Sequence, residues 1–184
     1  PKLRTPYVFQ YNLSWQQQLT SALTSELSYV GSSSHKLTGL VDINPFILGT
    51  PNRLLNTQKG LTGDTGFSFL DTFQNIGKAN YNSLQASLQG RQATIPYFGD
   101  TYFTLAYTYA HNIDNSSGFR QSHSNQVPYY NHDQFKASAD TDIRHRIVFS
   151  GGWDLPFDRM WSGGPRRLTK GWSLYPIVSF NTGY

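Results

Sequence analysis

Histidine and aspartate side chains recur between residues 111 and 145, and such side chains bind metal ions in many proteins. Imidazole and carboxylate suit zinc, copper or nickel, and clustered carboxylates suit calcium. Those within the polar stretch before the next strand are His111, Asp114, His123, His132, Asp133 and Asp140. No two of them lie at a recognised ligand spacing, and the nearest neighbours are His132 and Asp133. Solvated polar loop residues are the better interpretation, so we predict no metal site and no cofactor.

Sequence patterns of known catalytic sites are absent from the chain. It contains no G-x-S-x-G, H-E-x-x-H or phosphate-binding P-loop pattern. Glu26 is the only glutamate, so no pair of glutamates is available for acid–base catalysis. No nucleophile with a nearby base can be identified from the order of the residues. We therefore predict that the protein is not an enzyme.

The same polar region carries aromatic side chains among asparagine, glutamine and histidine. This combination suits sugars or peptides, which are bound by stacking and by amide hydrogen bonds. The candidates for ligand contact are Phe119, His123, Tyr129, Tyr130, His132, Asp133 and Phe135. The alternative is a loop whose aromatic side chains pack on one another or on neighbouring loops. The sequence favours neither interpretation.

The element that follows this region is the stretch DIRHRIVFSGGWDLPF, residues 142–157. Its side chains alternate between a mostly apolar side, which includes Ile147, Phe149 and Trp153, and a mostly small or polar side, which includes Arg146. A β-strand between hydrocarbon and water has this pattern. A strand of a soluble sandwich, with its apolar side buried, has it too, so one strand does not separate the two folds.

The composition of the chain favours the membrane strand. Charged residues make up 14% and aromatic residues 15% of the 184 residues, whereas soluble domains carry about 25% charged residues. Many aromatic and uncharged polar residues suit a transmembrane β-barrel, in which half of each strand is apolar and half lines water. No apolar run reaches the roughly 20 residues that a transmembrane helix needs.

The absence of Cys excludes disulfides and thiolate metal sites. A net charge of +4 with mostly scattered basic residues argues against nucleic-acid binding.

Six segments are predicted to be strands, because apolar and polar side chains alternate along them. They are residues 8–19, 23–31, 80–89, 101–110, 144–155 and 171–182, and the long polar loops are residues 32–78 and 111–141. Outer-membrane barrels have short periplasmic turns and long extracellular loops, and the links here are alternately short and long. We therefore predict an all-β fold, an antiparallel up-and-down transmembrane β-barrel segment of three hairpins with long extracellular loops. Residues 1–184 would form part of one barrel domain.

Aromatic side chains of this segment are candidates for the girdles that mark the two membrane–water interfaces. They are Tyr7, Trp15, Tyr29, Tyr107, Tyr109, Trp153, Trp172 and Phe180. The competing explanation is the core of a soluble sandwich. Pro176 lies inside the last predicted strand and cannot donate to a ladder, which predicts a bulge or an unpaired position.

Two basic residues, Arg144 and Arg146, lie where the second long loop enters the predicted strand. They could meet lipopolysaccharide phosphates, and Arg146, on the inward side, could instead meet a carboxylate in the lumen. A solvated strand end is the simpler interpretation of both.

The ordered set of strand sequences resembles a known family. The segments PYVFQYNLSWQQQL, SELSYVGSSSHKL, NYNSLQASLQGR, FTLAYTYAHNIDNSSG, DIRHRIVFSGGWDLPF and GWSLYPIVSFNTG look like consecutive strands of TonB-dependent receptor barrels of the Oar-like type. Those receptors carry a carboxypeptidase-regulatory-like domain, a plug and a large C-terminal barrel. The resemblance implies energy-coupled nutrient uptake across the bacterial outer membrane, with lipopolysaccharide and a TonB-type energy-coupling protein as partners.

The parts that would perform the coupling, the plug and the N-terminal domain, are expected to be absent from residues 1–184. Receptors of this kind close with about 22 strands, so the predicted strands would leave two open edges, which aggregate unless they are paired. We therefore predict a piece of a longer polypeptide or a chain that packs against others. The alternatives are a secreted or surface structural or adhesive β-protein that binds glycan or another surface, and a passive porin.

Overall fold

The computed structural model describes residues 3–62, 65–95, 99–115, 117, 131–134, 136–161 and 163–183. Within these residues the chain forms one sheet of eight strands with three short helices. The strands are β1 (Tyr7–Thr20), β2 (Leu23–Asp42), β3 (Asp71–Ile95), β4 (Gly99–Asp114), β5 (Ala137–Ser138), β6 (His145–Asp154), β7 (Ser173–Leu174) and β8 (Ile177–Asn181). The helices are α1 (Leu54–Lys59), α2 (Phe157–Met160) and α3 (Arg166–Thr169).

The order of the strands in the sheet is β1-β2-β3-β4-β6-β7, with β5 paired to β4 and β8 paired to β6. Sequence neighbours are therefore mostly neighbours in the sheet. The exceptions are β5, which pairs with the end of β4, and β8, which pairs with β6 as β7 does. The predicted all-β, antiparallel fold is confirmed. None of the helices among the described residues is long and apolar enough to cross a membrane.

The first long loop is shorter than the predicted range 32–78, because β2 continues to Asp42 and β3 already begins at Asp71. Lys36 has a left-handed φ of 56°, and a residue in that conformation interrupts the regular side-chain alternation of a strand. The Nδ2 of Asn75 donates a hydrogen bond to the Lys36 carbonyl at 2.7 Å, which keeps this point attached to β3. The strand thus extends through a segment whose sequence pattern had ended.

The second long loop is also shorter than the predicted range 111–141. Strand β4 runs to Asp114, and β5 pairs with its end, with Ile113 opposite Ser138 and Asp114 opposite Ala137. A two-residue strand carries no alternation that a sequence pattern could reveal, so only the pairing defines it.

The last predicted strand, residues 171–182, is two strands, because the ladder stops at Tyr175 and Pro176. Trp153 is opposite Leu174, and Ser150 is opposite Ile177, so equal numbers of residues separate these pairs and the register is unchanged. Pro176 therefore causes no bulge. It has no N–H to donate, but its carbonyl still accepts a hydrogen bond from the Gly151 amide at 3.2 Å.

The chain divides into two compact units. We call Pro1–Gln10, Ser32–Tyr81 and Asn112–Asp142 the loop unit, and Tyr11–Gly31, Asn82–His111 and Ile143–Tyr184 the turn unit. The loop unit has a small apolar core of Val41 and Ile76, both nearly inaccessible, with Ile43 packed against them. The turn unit contains the β4–β6–β8 ladder and the tight link between β1 and β2.

Candidate functional site

One side of the turn unit is apolar and aromatic across three paired strands, and we call it the aromatic face. Along β4 and β6, Leu105 is opposite Phe149 and Tyr107 is opposite Ile147, and Phe180 of β8 is opposite Ile147 on the other side. Several of these side chains are exposed, Phe180 at 60%. Its members on these strands are Phe103, Leu105, Tyr107, Tyr109, His145, Ile147, Phe149, Val178 and Phe180.

The opposite side of the same strands is mostly small or polar, and we call it the polar face. Thr108 is opposite Arg146, which is opposite Asn181, and Thr104 is opposite Ser150. This side extends onto β2 and β3, where a cavity of about 160 Å³ is lined by Glu26, Ser28, Gln85, Ser87 and Thr108, among others. The alternation predicted for residues 101–110 and 144–155 thus becomes two chemically different faces.

Two clusters of aromatic side chains on the turn unit have hydrogen-bonding partners. The Oη atoms of Tyr11 and Tyr29 both donate to Oδ1 of Asn82, at 3.0 and 2.8 Å. The Oη of Tyr107 lies 2.8 Å from Nδ1 of His145. Tyrosine at membrane interfaces has this arrangement, with an apolar ring and a satisfied hydroxyl group.

The remaining predicted girdle residues have these positions. In the loop unit, the ring of Tyr7 stacks on the ring of His35, with 5.2 Å between centroids. In the turn unit, Tyr109 contacts His145, Trp153 is opposite Thr101, and the Trp15 side chain is 62% exposed. Trp172, predicted within a strand, precedes β7 instead, and its Nε1 donates to the carbonyl of Leu168 at 2.9 Å. Whether these eight aromatic residues lie at membrane interfaces stays a prediction.

Most of the predicted ligand-contact residues lie outside the described residues. They are Phe119, His123, Tyr129, Tyr130 and Phe135. The other two, His132 and Asp133, are held in place by residues of β3 and by a residue just after β4. The Nδ2 of Asn115, which is almost fully buried, donates to the His132 carbonyl at 2.9 Å, and Lys78 Nζ forms an exposed ion pair with Asp133 at 3.0 Å.

The two arginines at the start of β6 have different surroundings. A guanidinium nitrogen of Arg144 lies 3.4 Å from Nε2 of His111. Arg146 lies on the polar face, between Thr108 and Asn181 in the register, and within the described part of the chain no carboxylate forms an ion pair with it. The described residues also contain no group of three histidine, aspartate or glutamate side chains that could hold a metal ion.

In the loop unit, the described residues between positions 43 and 70 fold around the buried side chain of Asn44, which the sequence did not single out. Its Nδ2 donates to the carbonyls of Phe67 and Ser68 at 3.1 and 2.9 Å, and its Oδ1 accepts from the Leu55 amide at 2.9 Å. Asn44 has no accessible surface. It therefore joins the start of α1 to the segment that leads into β3.

Arg53 completes this folded loop. Its guanidinium group forms an ion pair with Asp42 at 3.2 Å, donates to the Asn44 carbonyl at 2.7 Å, and lies 4.2 Å from the ring centres of both Phe46 and Phe69. Arg53 is 7 to 16 positions away from these four partners, and the sequence predicts a loop for the apolar patches around Phe46 and Phe69. The signal that could have found the site is the pair of aromatic patches flanking one arginine.

The family profile described as "Outer membrane beta barrel domain" matches residues 1–184. The chain belongs to this family of outer-membrane β-barrel domains. Its location is therefore the bacterial outer membrane, as the sequence predicts. In such a domain the aromatic face suits hydrocarbon and the polar face suits water, because lipid-facing and lumen-facing side chains alternate along each strand.

The outer-membrane β-barrel domain also has a structural relative. Its structure is similar to the crystal structure of the outer membrane transporter YddB from Escherichia coli, with a TM-score of 0.54 and 15% sequence identity. The similarity covers 83% of this chain and 19% of that transporter, so the chain spans about a fifth of the length of its relative. No curated protein sequence matches the chain. The similarity supports the barrel fold.

Proposed function

We propose that this outer-membrane β-barrel domain is part of the wall of a TonB-dependent receptor that takes up a nutrient with energy supplied through a TonB-type coupling protein. The observation that carries the proposal is the register of β4, β6 and β8, which places apolar side chains on one face and polar side chains on the other. A wall between lipid and a wide aqueous lumen needs this arrangement. The proposal that uptake is coupled to energy rests on the resemblance of the ordered strand sequences to Oar-like receptors.

The lengths of the links support an orientation in which the loop unit faces the outside of the cell. Only two residues separate β1 from β2, and three separate β3 from β4, whereas residues 43–70 separate β2 from β3. Periplasmic turns are short and extracellular loops are long in such barrels. In this orientation Arg144 lies near the outer surface, where lipopolysaccharide phosphates are available to it.

The first strand supports the proposal that further strands complete the barrel. Every residue of β1 is exposed, and among the described strands β1 pairs with β2 alone. An exposed edge with apolar side chains such as Leu13 and Trp15 associates readily with another strand. We propose that the rest of the barrel, from the same polypeptide or from another chain, pairs with this edge.

The test uses the source bacterium and the complete polypeptide that carries these residues. Deletion of the protein is expected to abolish growth on at least one nutrient at limiting concentration, and deletion of the TonB-type protein is expected to reproduce this defect. Growth that needs the protein but not the coupling protein would indicate a passive porin. A loss of surface attachment with no loss of growth would indicate an adhesive protein, and either result refutes the proposal.

A further inference from the structure

A cavity of about 350 Å³ lies within the folded loop of residues 43–70, in the loop unit. Its walls come from the turn after Phe46, from α1 and from the segment around Phe67, and the lining includes Phe46, Asn52, Arg53, Thr62, Phe67 and Ser68. The volume falls within the range of small-molecule sites, about 300–1,000 Å³. The sequence pointed to the other long loop for ligand contact, so this cavity is a separate site.

The walls of the cavity are joined to one another by hydrogen bonds. The side chain of Asn56, on α1, both donates to the Phe67 carbonyl at 2.9 Å and accepts from the Phe67 amide at 3.0 Å. The Ile47 amide donates to the Asn52 carbonyl at 2.8 Å. The buried Asn44 side chain also joins α1 to the segment around Phe67. A cavity held in this way exists before a ligand arrives, which reduces the entropy cost of binding.

The side chains that face solvent at the cavity combine apolar rings with polar groups. The rings of Phe46 and Phe67 are 58% and 54% exposed. Asn52 and Ser68 are exposed too, and within the described residues their side chains make no hydrogen bond. Exposed rings offer a stacking surface, and free amide and hydroxyl groups can both donate and accept.

The charge at the cavity is low. Among the described residues that line it, Arg53 is the only one with a charged side chain, and that charge is compensated by Asp42 at 3.2 Å. An anionic ligand would therefore meet a guanidinium group that is already paired. A neutral ligand rich in hydroxyl groups matches the rings, the amides and the lack of free charge.

We propose that this cavity binds a neutral saccharide. The inference rests on the proposed function in one respect, namely that the loop unit faces the outside of the cell, and it names the class of ligand that the receptor would recognise. Stacking of a sugar ring on Phe67, with hydrogen bonds to Asn52 and Ser68, is the binding mode that the geometry supports.

The test measures binding of neutral oligosaccharides to the detergent-solubilised complete polypeptide by isothermal titration calorimetry. The probes are a series of hexaoses built from glucose, xylose, mannose or galactose, with hexagalacturonate as the charged comparison and hexaalanine as the peptide comparison. Saturable binding of at least one neutral hexaose is expected, and no binding of the other two probes. Phe67→Ala and Asn52→Ala are each expected to weaken that binding by roughly tenfold or more, since each removes a central contact.

Leu48→Ala is the matched control, because Leu48 is 88% exposed in the same loop and does not line the cavity. It is expected to leave binding unchanged. Asn52→Ala changes an exposed side chain, so a loss of binding in this variant cannot come from unfolding of the loop. The inference is overturned if no neutral hexaose binds, if binding survives both variants, or if hexaalanine or hexagalacturonate binds in the same variant-dependent way.

The binding measurement needs no TonB-type protein, so the two proposals can fail separately. Saccharide binding without coupled growth would leave the cavity assignment intact and refute the proposed uptake. Coupled growth without saccharide binding would leave the proposed uptake intact and refute the cavity assignment.

Discussion

The guanidinium group of Arg53 lies 3.2 Å from the carboxylate of Asp42, and both side chains are about nine-tenths buried. Asp42 ends β2 and Arg53 precedes α1, so the ion pair closes the base of the folded loop. The same carboxylate accepts hydrogen bonds from the amides of Asn44 and Leu70 at 2.8 and 3.1 Å. One side chain therefore anchors both ends of residues 43–70.

Asp42→Ala is expected to lower the free energy of opening of this loop by about 3–5 kcal/mol, because Arg53 would stay buried without its partner. Hydrogen exchange of the Leu70 amide measures the change. Asp133→Ala is the control, since its ion pair with Lys78 is half exposed and worth about 0–1 kcal/mol. Equal exchange rates in the two variants would contradict the assignment.

Asn44→Ala is expected to destabilise the same loop by about 1–3 kcal/mol, since the Leu55 amide and the Ser68 carbonyl would lose their hydrogen bonds to the buried Asn44 side chain. The Phe67 carbonyl would keep its hydrogen bond from Asn56. Limited proteolysis of the protein in outer-membrane vesicles measures this as faster cleavage within residues 43–70. Asn52→Ala, at an exposed position of the same loop, is expected to leave the cleavage rate unchanged. Wild-type resistance in the Asn44 variant would show that the hydrogen bonds of Asn44 do not hold the loop.

Leu105→Lys is expected to impair membrane folding, because Leu105 lies on the aromatic face opposite Phe149. A lysine that faces lipid costs about 2–4 kcal/mol near the middle of the bilayer. Urea titration of the protein in liposomes, followed by heat-modifiable gel mobility, measures the loss. Thr104→Lys places the same charge one residue away on the polar face, opposite Ser150, and should change stability little. If Thr104→Lys destabilised the protein more than Leu105→Lys did, the polar face would be the one that meets lipid, and the assignment would be wrong.

Asn115→Ala is expected to release the segment around His132 from β3. Asn115 donates to the carbonyls of Ile76 and His132, both at 2.9 Å, and accepts from the Lys78 amide at 2.8 Å. Loss of these bonds should speed hydrogen exchange of the Lys78 amide by roughly tenfold or more, since an unsatisfied buried group costs about 1–3 kcal/mol. Lys78→Ala, which removes only the exposed ion pair, is the comparison. No difference between the variants would show that Asn115 is not the anchor.

Strand positions were predictable wherever one face differs from the other along the sequence. Residues 8–19 and 144–155 alternate clearly, and β1 and β6 agree with them to within about one residue at each end, within the usual uncertainty of strand ends. The sequence predicts the second strand only as far as Gly31, because the three serines at residues 32–34 carry no alternation. Strand β2 nevertheless continues to Asp42, and the left-handed φ of Lys36 interrupts the side-chain pattern within that extension. Pro176 predicts a bulge or an unpaired position, whereas the structure has an unchanged register and a hydrogen bond from the Gly151 amide to the Pro176 carbonyl.

The sequence by itself determined the all-β class, the alternation of a lipid-compatible and a water-compatible face, and the outer-membrane location, because these depend on side-chain period and composition. The tertiary structure alone decided where β2 and β3 end and how residues 43–70 fold. Those features depend on contacts such as those of Arg53 with Asp42 and of Asn44 with Phe67, whose partners are 11 and 23 positions apart. No local sequence pattern predicts such contacts, since each hydrogen bond and ring contact forms only when folding brings the two segments together.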